Sequence, residues 1–394
     1  PLRRFAKSAV RRALQALVFA LFTVAGLCSA CARLACRRRV PRPEDVRRIL
    51  VIRLDLLGDM VMSLPAVRAL KDAYPLAEVT VLSLPYAAGL LPLSTDVDNV
   101  LSYDVNVVRR PREVLRIANW RTFFALVREL RTTQFDLCLS LHGKFACVLA
   151  WLSGCRHTYG YRAEAYPLML SHTLPGGRYE VRQHEVLYNL RLAEAAGAHV
   201  DWSAIKGPHL AIPQGEQRRV RHVLAEFEIR PENTMIVIHP GASNGSAKRW
   251  PPAYWAELAN KLQTDLKASI VLTGTAAEGA IVRQVDAACS VKPLVLAGQT
   301  TIAQLGAVVK RADLLLSSDT GVAHMAAALG TPQVTVFGPT DPAVYAPFGP
   351  KVTVLRRELW CSPCYDASAT AECRFGHVNC MRELRPDEVY QACA

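Results

Sequence analysis

Residues 312–342 read ADLLLSSDTGVAHMAAALGTPQVTVFGPTDP, and the fold class follows from how this stretch divides. Residues 312–317 form an apolar run of strand length. Ser318, Asp319, Thr320 and Gly321 then supply turn and capping chemistry ahead of a small-residue helix over 322–329. Gly330 and Pro332 stop that helix, and 333–337 reads as the next buried strand. A strand feeding a helix N-terminus brings unpaired N–H groups and the positive end of the helix dipole to one point, where a phosphate or diphosphate can sit. The same pattern is also an ordinary strand-turn-helix unit of any α/β protein. Alone, it says no more than that.

Working outward, the stretch closes a regular series. Strands are predicted over 235–239, 269–273 and 294–297, and helices over 252–266, 277–289 and 302–311. An earlier series begins with the aliphatic strand RILVIRL at 48–54, which runs into Asp55-Leu56-Leu57-Gly58-Asp59 and a helix over 60–74. Further strands fall at 78–84, 135–141 and 157–161, with helices over 111–131 and 180–196. Residues 199–233 are more polar and carry Pro208, Pro213 and Pro231, which marks a boundary. Alternating β and α segments imply two doubly wound parallel sheets with their loops at the carboxyl ends of strands. Neither half contains GxGxxG or a Walker A sequence, so a dehydrogenase or P-loop ATPase lacks its usual support.

The loop after 235–239 contains Gly241, Ser243, Asn244, Gly245 and Lys248. Glycines let a ligand approach the backbone, and Ser243, Asn244 and Lys248 are donors matched to phosphate oxygens. A flexible polar loop with a surface lysine is the plainer reading. Lys248, Glu278 and Asp319-Thr320-Gly321 all follow strands of the same sheet, however, so a single crevice could collect them. Asp59 stands at the mouth of a helix in the other half, where a carboxylate is either an N-cap or a reactive group.

The chain has 394 residues, 51% of them hydrophobic, and a net charge of +13. That length allows two domains with proper cores. Residues 1–48 hold twelve Lys or Arg against Glu44 and Asp45, so most of the excess charge sits on this flank. Such a distribution points to an anionic membrane surface and away from a nucleic-acid cleft. The flank encloses ALQALVFALFTVAGLCSACA at 13–32, twenty residues without a formal charge. The expectation is an N-terminal hydrophobic helix that spans the bilayer or lies at its surface, with residues 1–47 as the membrane-associating segment. Positive charge at Arg33 and at 37–39 argues against a cleaved signal peptide. Among twelve cysteines, Cys361, Cys364, Cys373 and Cys380 form the one cluster, spaced as tetrahedral zinc ligands with His377 as a spare. Free or redox-active thiols are the alternative.

Three stretches together resemble glycosyltransferase family 9, the lipopolysaccharide heptosyltransferases and their relatives: IRLDLLGDMVMSLPAVRALK, HPGASNGSAKRWP and SSDTGVAHMAAALGTPQVTVFGPTDP. They occur in the family's order and spacing, and the resemblance runs from residue 48 to the C-terminus. It implies a GT-B architecture of two facing Rossmann-like domains: an acceptor-side domain over 48–205, a donor domain over 206–360, and a Cys-rich segment with a C-terminal helix over 361–394. Many family members carry a similar Cys-rich segment. The implied activity is inverting transfer of a heptose or related sugar from a nucleotide diphosphate to a lipopolysaccharide-core or other lipid-linked acceptor, without a required metal.

By the same resemblance, Asp59 is the catalytic base, and Lys248 with the N–H groups of Thr320, Gly321 and Val322 neutralises the leaving diphosphate. Ser243 and Asn244 match donor-loop positions, Glu278 a nucleoside position, and Asp319 and His324 positions near the donor sugar and pyrophosphate. His142, Lys144, Arg162 and His184 are candidates for contact with the acceptor, although a solvated charge is the plainer reading of each. The implied setting is the bacterial inner membrane, with the catalytic domains on its cytoplasmic side. A non-catalytic nucleotide-sugar-binding scaffold, a UDP- or GDP-sugar transferase and a nucleotide-sugar epimerase are the competing readings.

Overall fold

The computed structural model describes residues 40–105, 107, 116–164, 166, 169–177, 180, 182–242, 245–365 and 372–393. The hydrophobic stretch at 13–32 lies outside the described residues, as do the donor-loop candidates Ser243 and Asn244. Among the described residues no helix is long and apolar enough to cross a membrane.

Among the described residues twelve strands form two sheets of six. The first contains β1 (Arg48–Arg53), β2 (Glu78–Ser83), β3 (Asn99–Ser102), β4 (Leu137–Ser140), β5 (His157–Tyr161) and β6 (His172–Leu174). The second contains β7 (Met235–His239), β8 (Ser269–Leu272), β9 (Leu294–Val295), β10 (Leu314–Ser318), β11 (Gln333–Phe337) and β12 (Val352–Arg356). Their orders, β3-β2-β1-β4-β5-β6 and β12-β11-β10-β7-β8-β9, are the same order read from opposite edges. Every pairing is parallel. The principal helices are α1 (Leu57–Ala73), α2 (Ile117–Thr132), α3 (Lys144–Leu152), α4 (Glu185–Ala195), α5 (Gln214–Glu226), α6 (Pro252–Asp265), α7 (Gly279–Ala288), α8 (Ile302–Arg311) and α9 (Gly321–Leu329).

Central strands covered on both faces have no solvent side, so β1 and β7 carry unbroken buried apolar runs, 49–52 and 235–238. Edge strands lack that cover. β3, β6 and β12 carry mixed sequences, NVLS, HTL and VTVLR, and periodicity does not find them. The polar stretch read as a boundary also hides α5, whose only buried residues are Val220 and Leu224, spaced one turn apart among arginines. In the same stretch, Leu210 donates its N–H to the Ala328 carbonyl and Ala211 donates to that of Leu93, so the boundary is hydrogen-bonded to both halves. A continuous apolar cluster runs from Val51 and Met60 through Leu210 and Ile212 to Val322 and Met325, giving the two sheets a shared core.

In both sheets the strand order reverses beside the first strand, between β1 and β4 and between β7 and β10. Crevices form at such switch points, outside the carboxyl ends of the strands. α1 begins directly after β1 and α9 directly after β10, so both helices present their N-termini there.

Candidate active site

The two switch points face a single cavity of about 1000 Å³. Asp55, Gly58, Asp59, Tyr86 and His142 line it from the first half; His239, Lys248, Glu278, Asp319, Thr320, His324, Thr340 and Tyr365 line it from the second. The halves come closest where α1 meets α9. A Cβ on Gly58 would lie 2.6 Å from Cδ2 of His324, and one on Gly321 would lie 2.9 Å from Cβ of Leu57. Glycine at both positions lets the two helix N-termini nearly touch.

On the first wall, α1 starts at Leu57, three residues before the sequence pattern predicts. Its first turn is closed by the N–H of Met60 donating to the carbonyl of Leu56, at 3.0 Å. Asp59 therefore sits inside the first turn, where the helix dipole favours an anion. One oxygen of Asp59 is 3.0 Å from Nη2 of Arg53, the last residue of β1. Arg53 is fully buried, and its guanidinium also reaches Glu185 at 2.8 Å and Asp55 at 3.4 Å. Asn189 accepts from it at 3.4 Å and donates to the carbonyl of Met62 in α1. One cation thus ties three carboxylates to β1 and α4 and fixes where the Asp59 carboxylate points.

The second wall is built around Asp319. Lys248 Nζ donates to Asp319 Oδ2 at 2.7 Å, and the hydroxyl of Thr340 donates to the same oxygen at 2.7 Å. The ammonium also lies 4.4 Å from the ring centre of Tyr365. Burial would lower the Lys248 pKa, but Asp319 more than compensates and holds it above the usual lysine value. Burial would likewise raise Asp319, and Lys248 and His324 bring it below the usual carboxylate range. The pair is ionised throughout the neutral range. His324, one turn into α9, is pushed down to about 4 by burial and is a neutral imidazole at neutral pH. Thr320 Oγ1 and His324 Nδ1 are buried without a partner among the described residues, and α9 begins with no side-chain cap. The first N–H groups of a helix have no intrahelical acceptor. Donors with nothing to bind, gathered on a cavity wall, suit an anionic ligand.

A model of glycosyltransferase family 9 (heptosyltransferase) matches residues 123–374. The chain belongs to that family. Lipopolysaccharide heptosyltransferase 2 of Escherichia coli K12 is 28% identical over 329 residues, which cover 78% of this chain and 88% of the relative. The solved E. coli ADP-heptose lipopolysaccharide heptosyltransferase II superposes with a TM-score of 0.70 at 24% identity, covering 88% of this chain and 97% of the other. An E. coli heptosyltransferase solved with ADP-2-deoxy-2-fluoro heptose gives 0.65 at 19% identity, covering 88% and 98%. This glycosyltransferase therefore has two parallel-sheet α/β domains that match the GT-B heptosyltransferase structures.

Within the glycosyltransferase, the candidates read from sequence divide clearly. Asp59, Lys248, Glu278, Asp319, Thr320, Gly321, Val322, His324 and His142 all line the one cavity. Glu278 is partly committed: its Oε2 accepts from the N–H and the hydroxyl of Thr275, each at 2.8 Å, capping its own helical turn. His142 bridges toward Glu164 at 2.8 Å and Asp55 at 3.7 Å. Lys144, Arg162 and His184 do not line the cavity. Lys144 lies over the Tyr166 ring, and Arg162 is exposed just beyond β5. His184 caps α4, accepting from Val186 N–H through Nδ1, while Nε2 donates to the carbonyl of Ala346 in the other half. Both ring nitrogens are used, so His184 braces the two halves of the structure.

Among the described residues no three His, Cys, Asp or Glu side chains are grouped to hold a metal ion. Cys361 and Cys380 are buried, Cys380 in the apolar cluster around Met381 and Trp250, and Cys364 and Cys373 are half-buried. The four thiols are near enough to influence one another, and burial pushes Cys380 up to about 11.

Sequence reading missed Arg53, Glu185, Thr340 and Tyr365. An arginine inside the apolar run RILVIRL was the available signal for Arg53, because a charge in a strand buried on both faces requires partners.

Proposed function

We propose that this glycosyltransferase moves a heptose from ADP-heptose to a hydroxyl of a lipopolysaccharide-core or other lipid-linked acceptor, inverting the anomeric carbon. One observation carries the reading: a single cavity has Asp59, held by a buried arginine, on one wall, and Lys248 with the N-terminus of α9 on the other. Asp59 accepts the proton of the acceptor hydroxyl. The freed oxygen bonds to the anomeric carbon as the bond from that carbon to the diphosphate oxygen breaks on the opposite face. The charge released on the diphosphate is met by Lys248 and by the N–H groups of Thr320, Gly321 and Val322. Asp319 holds Lys248 in place, and Thr320 Oγ1 and His324 Nδ1 gain the partner they lack.

ADP is supported by the donor named for the heptosyltransferase structures, and the Glu278 carboxylate, 3.9 Å from Nε2 of His239 on the same cavity, is assigned to the ribose hydroxyls. Turnover on this reading needs no metal, so chelation with EDTA leaves it unchanged. Residues 1–47 would hold the enzyme on the cytoplasmic face of a bacterial inner membrane, beside its lipid-linked acceptor.

The test is a thermal-stabilisation screen of nucleotide sugars followed by mass analysis of any transfer product. Stabilisation by ADP-sugars and a product heavier by one heptose are expected. A strict preference for UDP- or GDP-sugars overturns the donor assignment.

A further inference from the structure

α2 crosses from β3 back to β4 and covers one face of the first sheet. Its inward side is settled by Leu126 and Leu130, which are buried in the apolar cluster that includes Leu50, Cys138 and Leu149. The outward side of a solvated helix would normally be polar. Here Ile117 is 74% exposed, Phe124 61% and Trp120 37%. Positions 117, 120, 121, 124 and 128 recur at helical spacing, so these three apolar residues share their face with the exposed Arg121 and Arg128. Glu129 is the only acidic residue of the helix.

The apolar part of this face is held firmly. Phe123 lies 5.8 Å from Trp120 and 5.7 Å from Phe124, both edge-on, and rests on Tyr103 at 6.2 Å and Phe145 at 6.4 Å. Rigid rings lose little conformational freedom on docking. A crossover between parallel strands runs antiparallel to them, which brings the Ile117 end of α2 to the carboxyl edge of the sheet. That edge also carries Asp59 and His142, and Phe145 follows His142 by three residues.

Exposed aromatic and aliphatic side chains interleaved with arginine are the composition of an interfacial helix, whose rings enter the boundary between headgroups and acyl chains while its cations meet lipid phosphates. We infer that the outward face of α2 is a docking surface for an anionic lipid bilayer, with Ile117, Trp120 and Phe124 entering the interface and Arg121 and Arg128 on the phosphates. The Ile117 end of this face lies at the carboxyl edge of the first sheet, the edge that carries Asp59, so docking there would bring that edge toward a lipid-linked acceptor. That consequence rests on the proposed function, whereas the docking surface itself does not.

The test uses the full chain with vesicles of phosphatidylethanolamine and phosphatidylglycerol containing a lipid with a photoactivatable acyl chain, and it requires no turnover. After irradiation and digestion, label is expected within residues 117–124. Arg121→Gln and Arg128→Gln should each weaken that labelling about fivefold. Ile117→Ser with Phe124→Ser should remove it, at an unchanged melting temperature that shows the fold is intact. Labelling confined to residues 1–47, or equal labelling on phosphatidylcholine vesicles, overturns the inference. So does a vesicle-free dimer, seen by sedimentation, that the Ile117→Ser/Phe124→Ser variant abolishes.

Discussion

Asp59 with Arg53 and Asp319 with Lys248 stand on opposite walls of one cavity, each a buried ion pair at the carboxyl edge of a parallel sheet. On the first wall the guanidinium of Arg53 is shared by Asp55, Asp59 and Glu185. On the second wall lysine and aspartate balance. The N-terminus of α9 adds positive potential, and Thr320 Oγ1 and His324 Nδ1 have no partner among the described residues. The same ingredients therefore yield opposite environments. A carboxylate held in place by a shared guanidinium suits taking up a proton, and donors unsatisfied among the described residues suit receiving an anion. What separates them is the number of partners around the buried cation.

The strongest way to break this contrast is Asp59→Asn. It should lower kcat by about 10²–10⁴-fold, the usual worth of a general base, while nucleotide-sugar stabilisation, which belongs to the other wall, is unchanged. A near-normal kcat would remove Asp59 from the base role. Arg53→Met tests the saturation of the first wall. It leaves buried carboxylates without their cation and should cost about 3–5 kcal/mol in denaturant unfolding; a loss below about 1 kcal/mol would show that the network holds little.

The second wall has its own pH signature. The His324 pKa lies at about 4 in the folded chain, against the ordinary 6.5, so between those values the unfolded chain binds more protons. Stability is complete above pH 6.5 and falls as pH drops toward 4, by about 3 kcal/mol for a shift of this size. His324→Gln should flatten this part of the melting-temperature profile, and an unchanged slope would assign the loss to other groups. The smallest effect is expected for Glu278→Gln, which weakens the cap on Thr275 by about 1 kcal/mol, seen as a small drop in melting temperature.

Much of the cavity was legible in the chain because its residues follow strands. Asp59, Lys248 and Asp319 each come a few residues after an apolar run, and a parallel sheet delivers every such loop to one edge. The resemblance to family 9 rests on the same three stretches. Arg53 was not legible, since its main partner Glu185 is 132 residues away and nothing local announces the pairing. The bracing role of His184 was hidden for the same reason: a histidine before a helix reads as a free polar group until Ala346 of the other half accepts from it. The edge strands β3, β6 and β12 escaped because a strand covered on fewer sides has less need of an apolar sequence.

By itself the sequence determined the βαβ alternation, the two doubly wound halves and the order of their loops, since apolar periodicity, glycine and proline act over a few residues. Only the tertiary structure decided that Gly58 and Gly321 let α1 and α9 meet, which carboxylates share Arg53, and which donors are left unpaired at Thr320 and His324. Those outcomes depend on how two sheets pack across a shared core, and contacts between residues far apart in the chain leave no periodic trace in it.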